Sequence, residues 1–264
     1  MMMSCDRNSV PAKISDSIFP ISSIPLIATW RLIPLLETSG NMQMAIDKWL
    51  LAQHLAGKHP PSLRFYTWMP AAISLGFHQN KYPDSWNNLY WQGQKVDLVK
   101  RPTGGRAVLH QGDLTYMVVT NTLSKNRMQA YRDICEFLIV GWKQLGIDLD
   151  YGMAGRGYIH NPNCFGTATS ADLVTNEGHK LIGSAQLRKG NVILQHGSMR
   201  LRSDLELFSQ VFGEGFYSTD VFKNLNFQTL IDVLVTAAQS CFDVEFEVKT
   251  LSQDEWDMII ATMF

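Results

Sequence analysis

The chain has 264 residues, of which 45% are hydrophobic, 11% aromatic and 18% charged, the make-up of a globular protein with a sizeable core rather than a disordered or fibrous one. Lys plus Arg number 23 against 24 Asp plus Glu, a net charge of -1, which lacks the basic excess of a phosphate-backbone binder and argues against nucleic acid as a partner. The nearest approach to a bilayer span, residues 18–36, is broken by Pro20, Pro25, Arg31 and Pro34, and no charged-then-apolar leader with a small-residue cleavage site opens the chain, so a cytoplasmic protein without a membrane span is expected.

Residues 1–28 are rich in Ser, Pro, Asp and Asn without a sustained period and read as a tail, with one domain expected over 29–264. Met42, Ala45, Ile46, Trp49 and Leu50 recur at helical spacing after the candidate caps Ser39 and Asn41, and the run ends near Gly57 and Pro60-Pro61. A second helix is predicted through Tyr131, Ile134, Cys135, Leu138, Trp142 and Leu145, closed by Gly146. A third is predicted through Phe227, Leu230, Ile231, Leu234, Ala238 and Cys241. Both thiols on these two helices are expected to face a core. Segments of β type lie at Leu63–Trp68, Ile73–Leu75, Val96–Lys100, Leu114–Thr120, Leu173–Thr175, His179–Leu187 and Asn191–Leu194, and residues 254–264 suggest a short terminal helix. Several of these connections are too short for a crossover helix. The fold class expected is therefore α+β, a single domain with a largely antiparallel or mixed central sheet flanked by helices.

Three polar segments interrupt this pattern. Lys100-Arg101-Pro102-Thr103-Gly104-Gly105-Arg106 places a basic pair and a Gly-Gly turn between two strands. Such glycines let a backbone approach a ligand, and they equally mark a plain tight turn with solvated arginines beside it. Asn161-Pro162-Asn163-Cys164-Phe165-Gly166 puts a thiol in a turn-forming loop. A cysteine there is either a nucleophile or a small packed hydrophobe, and as a nucleophile it needs a cation such as Lys180 to stabilise its thiolate. Lys180 reads alternatively as an exposed turn lysine. Gln195-His196-Gly197-Ser198 follows the apolar Val192-Ile193-Leu194, so His196 reads first as a hydrogen-bonded histidine at a strand end. The four cysteines (Cys5, Cys135, Cys164, Cys241) are too scattered for a disulfide framework, and no metal-ligand spacing, GxSxG elbow or P-loop occurs.

Together, Arg101-Pro102-Thr103-Gly104-Gly105-Arg106-Ala107-Val108-Leu109-His110, Leu114-Thr115-Tyr116, and Lys180-Leu181-Ile182-Gly183-Ser184-Ala185-Gln186 with Leu194 to Ser198 resemble the biotin/lipoate protein ligase superfamily. The match runs from about Trp30 to Phe246 and is most similar to the LipM-like octanoyltransferase branch, on account of Cys164-Phe165. Gly166 and Met117 stand where that branch commonly has an acidic residue and a serine. The resemblance implies the catalytic-domain fold of that superfamily, Cys164 as nucleophile, Lys180 as the active-site lysine, and a substrate-binding set of Arg101, Thr103, Gly104, Gly105, Arg106, His110, Gly183, Ser184, Ala185 and His196, with Val108 and Ile182 on the acyl wall. It implies transfer of octanoate from octanoyl-acyl carrier protein to a lysine of a lipoyl-domain protein such as the glycine cleavage H protein or a dehydrogenase E2 subunit, with no cofactor and no metal. Arg101, Arg106, Arg188, Lys189, Arg200 and Arg202 are candidate cations at the mouth for acidic partners. The competing expectations are an ATP-dependent ligase, an amidotransferase using the same cysteine, and a non-catalytic acyl-binding module.

Overall fold

The structure, a computed structural model, describes residues 27–122, 124–152, 171–213, 222 and 224–263. The first half contains β1 (Ala28–Thr38), α1 (Gly40–Leu55), β2 (Ser62–Trp68), β3 (Ala72–Leu75), β4 (Tyr90–Trp91), β5 (Gln94–Lys95), β6 (Asp97–Lys100), β7 (Val108–His110) and β8 (Asp113–Asn121). The second contains α2 (Arg127–Gln144), β9 (Leu149–Tyr151), β10 (Asp172–Thr175), β11 (Lys180–Lys189), β12 (Val192–Arg200), α3 (Leu205–Phe212), α4 (Phe227–Phe242), β13 (Val244–Val248) and α5 (Gln253–Ala261).

The main sheet runs β13-β1-β2-β8-β12-β11-β10-β9. β1 pairs in parallel with both β13 and β2, and the other pairings are antiparallel. The sheet is mixed, as expected from the short connections. Helices α2 and α4 pack against one face, where Leu63, Phe65, Leu114, Tyr116, Ile182 and Met199 join them in the largest core. Helix α1, backed by α5, covers the other face over Tyr66, Met117, Val119 and Leu194. A small sheet, β6-β3-β7, lies beside α1 and closes a third core with α3.

Local chemistry explains the element ends. Asn126 and Asn226 accept from backbone N–H groups at the starts of α2 and α4, and Asp243 at φ 53° turns α4 directly into β13. Ser39 precedes α1 but its hydroxyl caps nothing; the Gly40 N–H donates instead to Asp97 Oδ2 (2.8 Å), a carboxylate on β6. A Cβ on Gly40 would lie 3.0 Å from Val99 and 3.3 Å from Ala72, so glycine lets α1 seat against the small sheet.

Sequence reasoning missed β1, β4, β5, β7, β9, β13 and α3. The prolines around β1 suggested a break. In the fold, Pro34 sits where the β1–β2 register shifts between Ile33 and Leu36, an irregularity that accommodates a residue with no N–H to give the ladder. The strand expected to end at Leu194 continues to Arg200, so His196 is corrected from a strand end to a strand interior. Its polar residues find buried partners, which no alternation rule anticipates. Cys135 is buried as expected, while Cys241 is only partly covered.

Candidate functional site

Residues opposite one another on neighbouring strands share a face. The pairings Arg64↔Met117↔His196↔Ala185 and Tyr66↔Thr115↔Ser198↔Gly183 therefore build one patch beneath α1. With Met44 of α1, Ser74 of β3, and Val108 and His110 of β7, this patch encloses a cavity also lined by Trp68, Arg101 and Gly105.

Its floor is a buried ionic network. Gln43 and Asp47, four residues apart on α1, both face the sheet. Arg64 donates to Asp47 Oδ1 from Nε (3.0 Å) and Nη2 (2.6 Å), to Gln43 Oε1 (2.8 Å) and to the Gln43 carbonyl (2.9 Å). Tyr66 Oη donates to Asp47 Oδ2 (3.1 Å). Burial alone would raise the Asp47 carboxyl, but the Arg64 charge and the His196 hydrogen bond outweigh it and hold it below the usual carboxylate range.

Two hydroxyl–imidazole–carboxylate chains border the cavity. His196 Nδ1 lies 2.8 Å from Asp47 Oδ2 and its Nε2 lies 2.6 Å from Thr103 Oγ1. Burial holds His196 below its ordinary value despite the neighbouring carboxylate, so the ring is neutral, Nδ1–H donates to Asp47, and bare Nε2 accepts from Thr103. In the second chain His110 bridges Asp113 Oδ2 (2.8 Å from Nδ1) and Ser74 Oγ (2.8 Å from Nε2), with its ring stacked 3.9 Å from Trp68. Asp113 Oδ2 also accepts from Thr115 (3.1 Å) and Ser198 (2.6 Å).

The Gly-Gly segment is clasped from within. Arg101, expected as solvated surface or a mouth cation, is buried, and its guanidinium donates to the carbonyls of Ser74 (2.6 Å), Gly104 (2.8 Å from Nη2) and Arg106 (2.7 Å). Of the two glycines, Gly105 holds the left-handed conformation, φ 95°. The Gly105 carbonyl also packs where a Cβ on Gly76 would meet it at 1.9 Å, so Gly76 fixes how near the loop comes to β3.

Of the sequence-expected residues, Arg101, Gly105, His110, Gly183, Ser184, Ala185 and His196 line this one cavity, with Val108. Thr103 joins through its bond to His196. Ser184 gives its hydroxyl to a 2.8 Å contact with Tyr116 Oη. Gly104 lines a groove on the outer side of the loop. Three expectations need correction. Ile182, expected on an acyl wall, packs in the core beneath α2 and α4 and is not among the residues that line this cavity. Lys180 is not an exposed turn lysine: it opens β11, is 6% exposed, and places Nζ 2.9 Å from Asp172 Oδ2; it is not among the described residues that line the cavity. Arg200 is buried beside the Phe208 ring and does not stand free at a mouth. Cys164, with Phe165 and Gly166, lies outside the described residues.

Sequence reasoning overlooked Asp47, Arg64, Tyr66, Ser74, Asp113 and Asp172. A signal existed for the first two: Gln43 and Asp47 interrupt the apolar side of a helix, and Arg64 interrupts the apolar run Leu63–Trp68, the mark of paired buried charge.

A family model of the lipoyl protein ligase A/B catalytic domain matches residues 39–237. The octanoyltransferase LipM of Lysinibacillus sphaericus is 32% identical over 266 residues, covering 89% of this chain and 95% of that protein. The octanoyltransferase LipM of Bacillus subtilis is 37% identical over 195 residues, covering 70% and 69%. Among solved structures, a lipoate-protein ligase A bound with ATP superposes with a TM-score of 0.72 at 23% identity, covering 89% of this chain and 94% of that one, a likeness of fold. On the matched residues and on these identities, the chain belongs to the lipoyl protein ligase A/B catalytic domain family.

Proposed function

We propose that this protein is an octanoyltransferase that takes an octanoyl group from acyl carrier protein as a Cys164 thioester and passes it to a lysine of a lipoyl-domain protein. The observation that carries the reading is the identity of 32–38% to octanoyltransferases across most of the chain. In the first step the Cys164 thiolate attacks the donor thioester carbonyl, and the carrier's thiol leaves with a proton from solvent. In the second, a neutral lysine amine attacks the Cys164 thioester, an amide forms, and the Cys164 thiolate is released as the amine loses a proton. The first exchange is nearly balanced in free energy and the amide makes the second downhill, so ATP has no part in it.

Support for the nucleophile comes from the Cys164-Phe165 pair and from the two thiols among the described residues. Burial pushes Cys135 up to about 11 and also raises Cys241, which keeps both protonated and unreactive near neutrality. Lys180, held by Asp172 in a buried ion pair at the head of β11, supplies the positive charge that the thiolate and the tetrahedral oxyanion need. The cavity lined by Met44, Tyr66, Trp68, Val108, Gly183 and Ala185 receives the alkyl chain, each buried CH₂ contributing about 0.8 kcal/mol. Arg101, Gly105 and the Thr103–His196 pair hold the wall at which the carbonyl end sits.

Intact-protein mass spectrometry after incubation with octanoyl-acyl carrier protein, without ATP, tests the reading. The wild-type chain gains one octanoyl group, and Cys164→Ser gains none. An adduct retained by the variant removes Cys164 as nucleophile. Octanoylation of a lipoyl domain that demands ATP makes the protein a ligase instead.

A further inference from the structure

On the outer side of the loop that carries Gly104 and Gly105 runs a groove of about 610 Å³. Its cations come from four elements: Lys48 on α1, Lys100 on β6, Arg127 at the start of α2 and Lys189 at the end of β11. All four are exposed, none forms an ion pair with a described residue, and no described lining residue is acidic. Lys100 Nζ donates to the neutral Asn80 Oδ1 (2.8 Å), and Arg127 lies 5.8 Å over the Tyr131 ring. In a chain of net charge -1, gathering unpaired cations in one concavity costs self-repulsion, which an acidic partner relieves on docking. The same groove exposes Phe77 (54%) and Leu55 (42%), apolar anchors of the kind that fix a docked surface. Arg101 borders both groove and cavity; Gly104 lines one side of the loop and Gly105 the other.

We propose that this groove is the docking surface for the acidic carrier protein that delivers the octanoyl thioester, so that the acyl chain enters the cavity across the 101–106 loop. The inference rests on the octanoyltransferase reading and adds where the donor sits. The mouth cations are then largely not those expected from sequence: Lys189 belongs to the groove, whereas Arg101 and Arg200 are buried.

Lys48→Glu, Lys100→Glu and Lys189→Glu, singly and together, test it through the rate of acyl-enzyme formation with two donors: octanoyl-acyl carrier protein, and the uncharged N-acetylcysteamine thioester of octanoate. With the carrier-borne donor each reversal raises KM by about tenfold, the triple variant loses the wild-type's salt dependence, and kcat stays. With the small thioester nothing changes. An unchanged KM for the carrier-borne donor, or an equal loss with both donors, overturns the assignment. So does a defect confined to the later transfer step, which gives the groove to the acceptor domain, or one seen only in ATP consumption, which gives it to a nucleotide. Failure of the wild-type chain to accept octanoate from either donor sinks the transferase reading itself and is told apart by that result.

Discussion

At Asp47 and His196 the surroundings choose where the proton sits. The carboxyl is ionised because Arg64 and His196 donate to it more strongly than burial penalises it, and the imidazole is neutral because burial outweighs the pull of that carboxylate. The pairing fixes the Nδ1–H tautomer and aims a bare Nε2 at Thr103 Oγ1, 2.6 Å away. Because the folded His196 lies below the ordinary histidine value, the unfolded chain binds more protons between the two, and stability falls as pH drops below about 6.5. His59, also held low by burial, adds to the same window. The urea midpoint is therefore expected to fall between pH 7.5 and 5.5, with a smaller fall in His196→Gln. An equal slope in that variant removes His196 as a source.

Helix α1 is joined to the sheet by its apolar stripe and by two buried polar side chains, Gln43 and Asp47. Arg64 of β2 is fully buried, and its guanidinium makes four hydrogen bonds, two to Gln43 and two to Asp47. Removing one partner of such a pair leaves an uncompensated buried charge, whereas replacing both by apolar groups is often neutral. Asp47→Ala is expected to cost about 3–5 kcal/mol of unfolding free energy by urea titration. Asp47→Leu with Arg64→Met is expected to recover most of that. The double variant still lacks the carboxylate that orients His196, so its octanoyl transfer stays impaired; full activity there would show that the relay does not position the loop.

Across the whole molecule the C-terminal segment is bolted back onto β1. Arg31 donates to Glu255 Oε1 (2.7 Å) and Oε2 (2.8 Å) and to the carbonyls of Lys249 (3.1 Å) and Thr250 (2.6 Å), while Leu251 and Ile259 enter the core under α1. The Arg31 hydrogen bonds hold the Glu255 carboxyl below its usual range. Glu255→Ala is expected to lower stability by about 3 kcal/mol, measured by urea unfolding at pH 7. The wild-type advantage over this variant shrinks as pH falls through the folded Glu255 value, since protonation then removes from the wild type the ion pair that the variant already lacks.

From residues alone the chain disclosed its α+β class, the helices through Trp49, Trp142 and Leu234, the mixed sheet and the loop with Gly104-Gly105, because periodicity and turn chemistry are local properties. Motif resemblance supplied the family, and the cavity gathers seven of the expected binding residues. Only the tertiary structure could decide that Arg101 folds inward onto its own loop, that Lys180 pairs with Asp172, and that Asp47, Arg64 and His196 meet although 149 positions separate the first from the last. Charge burial and hydrogen-bond partnership depend on which strands become neighbours, and that is settled by long-range packing.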